Sequence, residues 1–236
     1  MASGAIIGLD IGNNTIKVAE VRVGKSGAYV SALGIAPTPL DSMDQNMILD
    51  AQALGSAIKE LLSSCGARTR AVVSSVAGQQ SLVVRIIEVP RMSAKELAET
   101  MKWEVERHVP FASQDIQMDY RVISPPDLPP EVQTMEVLLV VAQREMIDSH
   151  LEVLKYAGLD PRAIDVEPLA EPRAVVDIRG AEEMQKTVAL VNIGANLTDV
   201  SIVRNGTLLF QRTIPTAGNA LTQAIADALN ISKEEA

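Results

Sequence analysis

Residues 11–24 read IGNNTIKVAEVRVG, and residues 193–206 read IGANLTDVSIVRNG. The two stretches align without a gap at an offset of 182. Seven of fourteen positions are identical: Ile11/Ile193, Gly12/Gly194, Asn14/Asn196, Val18/Val200, Val21/Val203, Arg22/Arg204 and Gly24/Gly206. Chance would supply about one such identity. Each copy reads as an apolar strand (Ile6–Asp10, Val188–Asn192) entering a Gly/Asn turn, then a second strand (Ile16–Val23, Thr198–Val203), another turn and a third strand. Asn205-Gly206 carries the strongest hairpin signal. Gly12 and Gly194 are expected to supply positive φ. One Gly-Asn tip alone would be a plain turn. Two, each opening one of two related domains, predict a clamp whose facing tips offer backbone N–H groups and hydroxyls to phosphates.

Between the copies the rhythm changes. Leu54, Ile58, Leu61 and Cys65 fall at helical spacing over Asp50–Ser64, with Gly66 as the stop, and a strand Ala71–Val76 follows. Strand Ser81–Val89 then leads to helix Ala94–His108, opened by Ser93 and Glu96 as a capping box. A strand near Ile116–Ile123, the proline-rich loop SPPDLPPEVQ, strand Met135–Ala142 and helix Glu145–Ala157 complete the unit. In that last helix Ile147, Leu151 and Leu154 are expected to face inward. Strand Ala163–Val166 returns to the main sheet. The expected organisation is α/β. Residues 1–79 and 161–180 form a first core subdomain, 80–160 an inserted β-α-β-β-α subdomain, and 181–236 the start of a second core domain.

Composition narrows the function classes. Apolar residues make up 47% of the 236 and aromatics only 3%, so a core of Val, Ile, Leu, Ala and Met is available. The net charge of −9, without a Lys/Arg block, argues against nucleic acid as a partner. The single cysteine, Cys65, excludes an internal disulfide and reads as a small core residue. Asp10 interrupts the first apolar run, which is neither a leader nor a membrane span, and Val137–Ala142 is long enough only for a strand. These features predict a cytoplasmic protein with no direct membrane insertion. His108 and His150 lack metal-ligand spacing and read as structural. Trp103, the only tryptophan, is either an interface anchor or ordinary helix packing.

The first loop, Asp10-Ile-Gly12-Asn13-Asn14-Thr15-Ile-Lys17, resembles the first phosphate loop of actin and its relatives. Asn192-Ile-Gly194-Ala195-Asn196-Leu-Thr198 resembles their second, and Ile164–Ala170 their connecting strand-to-helix segment. Within that superfamily, VRIIEVPRMSAKELAETMKWEVERHVPF, DIQMDYRV and LKYAGLDPRAIDVEPLA are similar to the PilM family of type IV pilus assembly proteins. The resemblance spans about Ile6–Leu229. It implies an actin-like (ribonuclease H-like) core with an FtsA-like inserted subdomain, binding ATP and Mg²⁺.

On that resemblance Asp10 holds Mg²⁺ through its waters, as a cation reluctant to dehydrate requires. Lys17 supplies a point charge to the β/γ-phosphates. The amides of Gly12, Asn13, Asn14 and Thr15, those of Gly194, Ala195 and Asn196, and the hydroxyls of Thr15 and Thr198 form the cradle. Glu167 either orients water or the metal's hydration, or simply starts a helix. Three features depart from the pattern. Asn192 stands where many relatives carry an acid, which predicts weak or no ATPase activity. Pro172 predicts a kinked or late-starting helix. The second domain is expected to be cut short at Ala236, before the segments that grip adenine and ribose.

The resemblance further implies a scaffold that docks the N-terminal cytoplasmic tail of a membrane-anchored partner, PilN, and that meets other pilus motor or platform proteins. That partner would recruit it to the inner membrane face. The docking groove is expected between the first core and the inserted unit, its floor near Val83–Val89 and the helix Ala94–Val109. A small-molecule kinase of the same superfold would need a further carboxylate, and the sequence places no convincing second acid. An FtsA-like filament protein is the remaining reading.

Overall fold

The computed structural model describes residues 4–25, 27–44, 46–78, 81–109, 115–125, 127, 129–175 and 186–236. Alternating apolar residues build the first sheet. Strands β1 (Ala5–Ile11), β2 (Thr15–Gly24) and β3 (Gly27–Pro37) form an antiparallel meander. Strands β6 (Ala71–Val76) and β10 (Asp160–Val166) add in parallel, giving the order β10-β6-β1-β2-β3. A short hairpin, β4 (Met43–Asp44) and β5 (Met47–Ile48), precedes helix α1 (Ala51–Cys65).

Asp50 caps α1 by accepting from the Ala53 amide, and Gly66 ends it with a left-handed φ of 76°. Leu54, Ile58 and Leu62 pack onto Ile7, Ile16 and Val72. Each such fully buried side chain contributes about 1.5–3 kcal/mol relative to exposure. Helix α3 (Arg144–Tyr156) joins the same core through Val153 and Leu154. It crosses α1 at Gly55, where a Cβ would lie 2.3 Å from that of Tyr156. The buried face of α3 is His150, Val153 and Leu154, while Leu151, expected inside, is exposed.

Strands β7 (Leu82–Pro90), β8 (Ile116–Val122) and β9 (Thr134–Gln143) form a second sheet in the order β7-β9-β8. Helix α2 (Ala94–His108) covers one face, laying Leu97, Met101 and Val105 on Val83, Ile87 and Val89. Its capping box, Ser93 with Glu96, forms as the sequence indicates. The floor expected for a docking groove along Val83–Val89 and this helix is therefore the filled core of the unit. Trp103 points outward and is 70% exposed. On the other face Leu82, Val84 and Ala142 meet Val76, Val166, Val203 and Leu208. Strand β9 is thus apolar on both faces, which explains its nearly unbroken hydrophobic run.

Helix α4 (Glu167–Val175) starts directly after β10 and contains Pro172. It is not late, because Pro168 sits in the first turn, where a missing N–H costs nothing. The expected domain junction at 180–181 lies outside the described residues. The last sheet is β11 (Thr187–Ile193), β12 (Thr198–Arg204) and β13 (Thr207–Ile214), followed by helix α5 (Gly218–Leu229). Asn205 and Gly206 turn β12 into β13 with φ of 51° and 69°, the primed turn expected there. No helix among the described residues is long and apolar enough to cross a membrane.

Candidate functional site

The two repeated hairpins are built alike to the level of single hydrogen bonds. Gly12 donates its N–H to the Thr15 carbonyl at 3.0 Å, and Gly194 donates to the Leu197 carbonyl at 2.9 Å. A Cβ at either glycine would sit 3.0 Å from the same carbonyl oxygen. That close approach is why glycine occupies both positions. Positive φ, expected there, is confined among the described glycines to Gly27, Gly66, Gly158 and Gly206. The Gly12 and Gly194 amides are accordingly spent inside the turns.

The tips come together at the start of α5. Gly218 and Asn219 donate their amides to the carbonyls of Gly194 and Ala195 at 3.1 and 2.8 Å. The Asn219 side chain donates to Asn196 Oδ1 at 2.7 Å and accepts a long bond of 3.4 Å from Asn14 Nδ2. Asn14 and Asn196 are repeat equivalents, so a third amide spans the two loops. Nothing in the repeat points to Asn219, which lies outside both copies.

Asp10, Gly12, Asn13, Asn14, Thr15, Lys17, Glu167, Asn192, Gly194, Ala195 and Asn196 all line one open cleft of about 1220 Å³. Thr198 does not. It is buried, and its hydroxyl donates to the Thr216 carbonyl at 2.7 Å, holding the segment before α5. Lys17 pairs with Asp10, its partner across the hairpin, at 2.7 Å.

Acids that no motif marks gather beside them. Glu171, one helical turn after Glu167, accepts from the Asn192 amide. Asp199 lines the cleft and accepts from Thr213 at 2.5 Å and Gln211 at 3.0 Å. Glu171 was legible from the i,i+4 spacing, and Asp199 from its place opposite Asn192. Burial holds both carboxyls above their ordinary range. Glu167 is pushed up to about 8, chiefly by burial and then by the charges of Asp10, Glu171 and Asp199, with Lys17 opposing. A crowd of hard oxygen donors around one amine fits a divalent cation. Among the described residues no three of these acids close on one point at ligating distance. A cation here would keep waters between itself and most of them.

A second cavity of about 850 Å³ lies between the first sheet, the β4–β5 hairpin and helix α3. Met43, Met47 and Ile48 of the hairpin line it with Val76 and Ala77 and with Gln143, Met146 and Ser149. His150 lines it too. Its Nε2–H donates to Ser74 Oγ at 2.9 Å, and Ser74 donates to the Leu9 carbonyl at 3.0 Å. Burial lowers the imidazole to about 4 and keeps it neutral. Asn46 borders this cavity and the cleft alike.

The family described as type IV pilus assembly protein PilM matches residues 8–236. A solved structure of a PilM–PilN type IV pilus biogenesis complex is similar at 32% identity and a TM-score of 0.88, over 98% of this chain and 67% of that one. Cell division protein FtsA of Streptococcus pneumoniae is 24% identical over 253 residues, 98% of this chain and 54% of that protein. FtsA of Bacillus subtilis is 30% identical over 102 residues, 43% of this chain and 22% of its own length. The chain thus spans about half the length, or less, of these FtsA relatives. The fold is an actin-like α/β architecture of the PilM and FtsA kind.

Proposed function

The chain belongs to the PilM family of type IV pilus assembly proteins, and on that premise we propose that it is a nucleotide-responsive docking scaffold whose partner is the N-terminal cytoplasmic tail of PilN. The observation that carries the docking half is the methionine-walled groove between the first core and the inserted unit. Methionine side chains are flexible and polarisable, and they mould to an extended apolar peptide better than branched residues do. The similar PilM–PilN complex supports the choice of partner. On this reading the protein works in the cytoplasm and reaches the inner membrane through that partner.

The paired loops support the nucleotide half. Mg-ATP would supply charge that compensates the acids. Lys17 would face its phosphates and Asp10 the waters of its cation, and the amides of Asn13–Thr15 and of Ala195 and Asn196 would complete the cradle. Gly12 and Gly194 serve by close packing, because a side chain there would fill the turn. Asn192 offers an amide where an acid would strengthen metal binding, so hydrolysis is weak or absent. The division into a first core (1–79 and 161–180), an inserted unit (80–160) and the start of a second core (181–236) is part of the same proposal. Within it, α3 packs with the first core.

Charge insertion tests the groove. Met47→Glu and Met146→Glu are expected to abolish binding of a labelled PilN tail peptide while leaving the circular dichroism spectrum unchanged. Undiminished binding by both folded variants would move the docking site elsewhere.

A further inference from the structure

We infer that the β4–β5 hairpin couples the cleft to the groove, so that occupancy of one orders the other. This rests on the reading of the cleft as a phosphate site. The hairpin forms a wall of the groove through Met43, Met47 and Ile48, while its Asn46 also borders the cleft. Its own ladder is two residue pairs, Met43 with Ile48 and Asp44 with Met47. So short a ladder does not hold itself in water.

Its base is fixed to α1. Ser42 is fully buried, and its carbonyl accepts the amides of Leu49 and of the helix cap Asp50 at 2.8 and 3.2 Å. Its tip is fixed to the first loop. Asn13 Nδ2 donates to Asn46 Oδ1 at 2.5 Å, and Asn13 Oδ1 accepts from the Asn46 amide at 3.2 Å. Thr38, on the segment entering the hairpin, adds two more bonds. Its hydroxyl donates to the Gly12 carbonyl at 2.6 Å and its amide to the Asn14 carbonyl at 3.0 Å.

Loop and hairpin are therefore laced together at Asn13, Gly12 and Asn14. The Asn13 amide has two N–H groups, and one bond to Asn46 leaves the other for an anion. A polyphosphate that settles residues 12–15 thus settles the hairpin in its present position. A peptide in the groove settles the loop in turn, since coupling between two binding sites is reciprocal. The ordering cost of the shared element is incurred once, so the coupling is positive.

Hydrogen exchange by mass spectrometry on the full chain, with and without saturating Mg-ATP, tests this. In the wild type, exchange should slow about fivefold or more both in residues 12–15 and in 42–50. In Asn46→Gly, which removes the Asn13 Nδ2 to Asn46 Oδ1 bond and whose glycine accepts the native φ of 68°, slowing at nucleotide saturation should remain in the loop and weaken in the hairpin. Loop slowing without hairpin slowing in the wild type overturns the coupling and leaves the cleft reading standing. Equal hairpin slowing in the variant also overturns it. No slowing in either segment overturns both readings.

Discussion

Asp199 holds in the second hairpin the register position that Lys17 holds in the first: Lys17 stands opposite Asp10, and Asp199 stands opposite Asn192. The fold is duplicated but the charge is not. The first hairpin carries an ion pair, and the second carries an unbalanced carboxylate. With Glu171 added, Lys17 is outnumbered by the acids lining or bordering the cleft, Asp10 and Asp199 among them. On the proposed reading a bare polyphosphate would meet repulsion there and would need a divalent cation with it.

Nucleotide affinity should therefore depend on Mg²⁺. Titration of a fluorescent ATP analogue is expected to show at least about tenfold weaker binding in EDTA, a loss of about 1.4 kcal/mol. Asp199→Asn should narrow that gap. Equal affinity with and without the cation would show that the acids do not hold it.

Glu167 makes the ligand-free protein sensitive to alkali. Its folded value of about 8 lies above the ordinary 4.5. Its contribution is thus fully present below 4.5 and is lost as the pH rises through 8. Glu167→Gln should remove that loss and raise ligand-free stability at pH 8 by about 1–3 kcal/mol in urea unfolding. At pH 4.5 the two proteins should match. A variant less stable at pH 8 would contradict the assignment.

His150 sets an acid limit of a different kind. Burial lowers it from 6.5 to about 4, so stability is intact above 6.5 and falls as the pH drops toward 4 while the unfolded chain takes up a proton. Glu20 adds a second step. Arg22, Ser31 and the amides of Arg68 and Thr69 hold its carboxyl at about 2, with the Thr69 bond foremost, and this stabilisation is lost between 4.5 and 2. In His150→Asn the unfolding midpoint should flatten between pH 6.5 and 4 and keep its fall below 4.5. An unchanged slope across the upper range would show that the imidazole is not the group responsible.

Much of the fold is legible in local signals. Ser93 with Glu96 fixes where α2 begins, Gly66 ends α1, and Asn205-Gly206 makes the last hairpin. Eleven of the twelve candidate cleft residues meet at one cavity, ten from the repeated hairpins and Glu167 from the segment that connects them. What escaped depends on distance in the chain. Thr198 looks like a cradle hydroxyl until Thr216 is placed beside it. Asn46 and Asn219 have no motif of their own and matter only because folding carries them to Asn13 and Asn14. The sequence points to a groove beside α2, because an apolar stretch in sequence does not reveal which face is already filled. Val83, Ile87 and Val89 are covered by Leu97, Met101 and Val105.

The most direct test is a fluorescence-anisotropy titration of the chain with a labelled peptide copying the N-terminal cytoplasmic tail of its PilN, beside a scrambled peptide of the same composition. Saturable binding near micromolar Kd, about −8 kcal/mol, and none for the scrambled peptide, is the result expected of a docking scaffold. No saturable binding to the folded chain, or equal binding of both peptides, would contradict it.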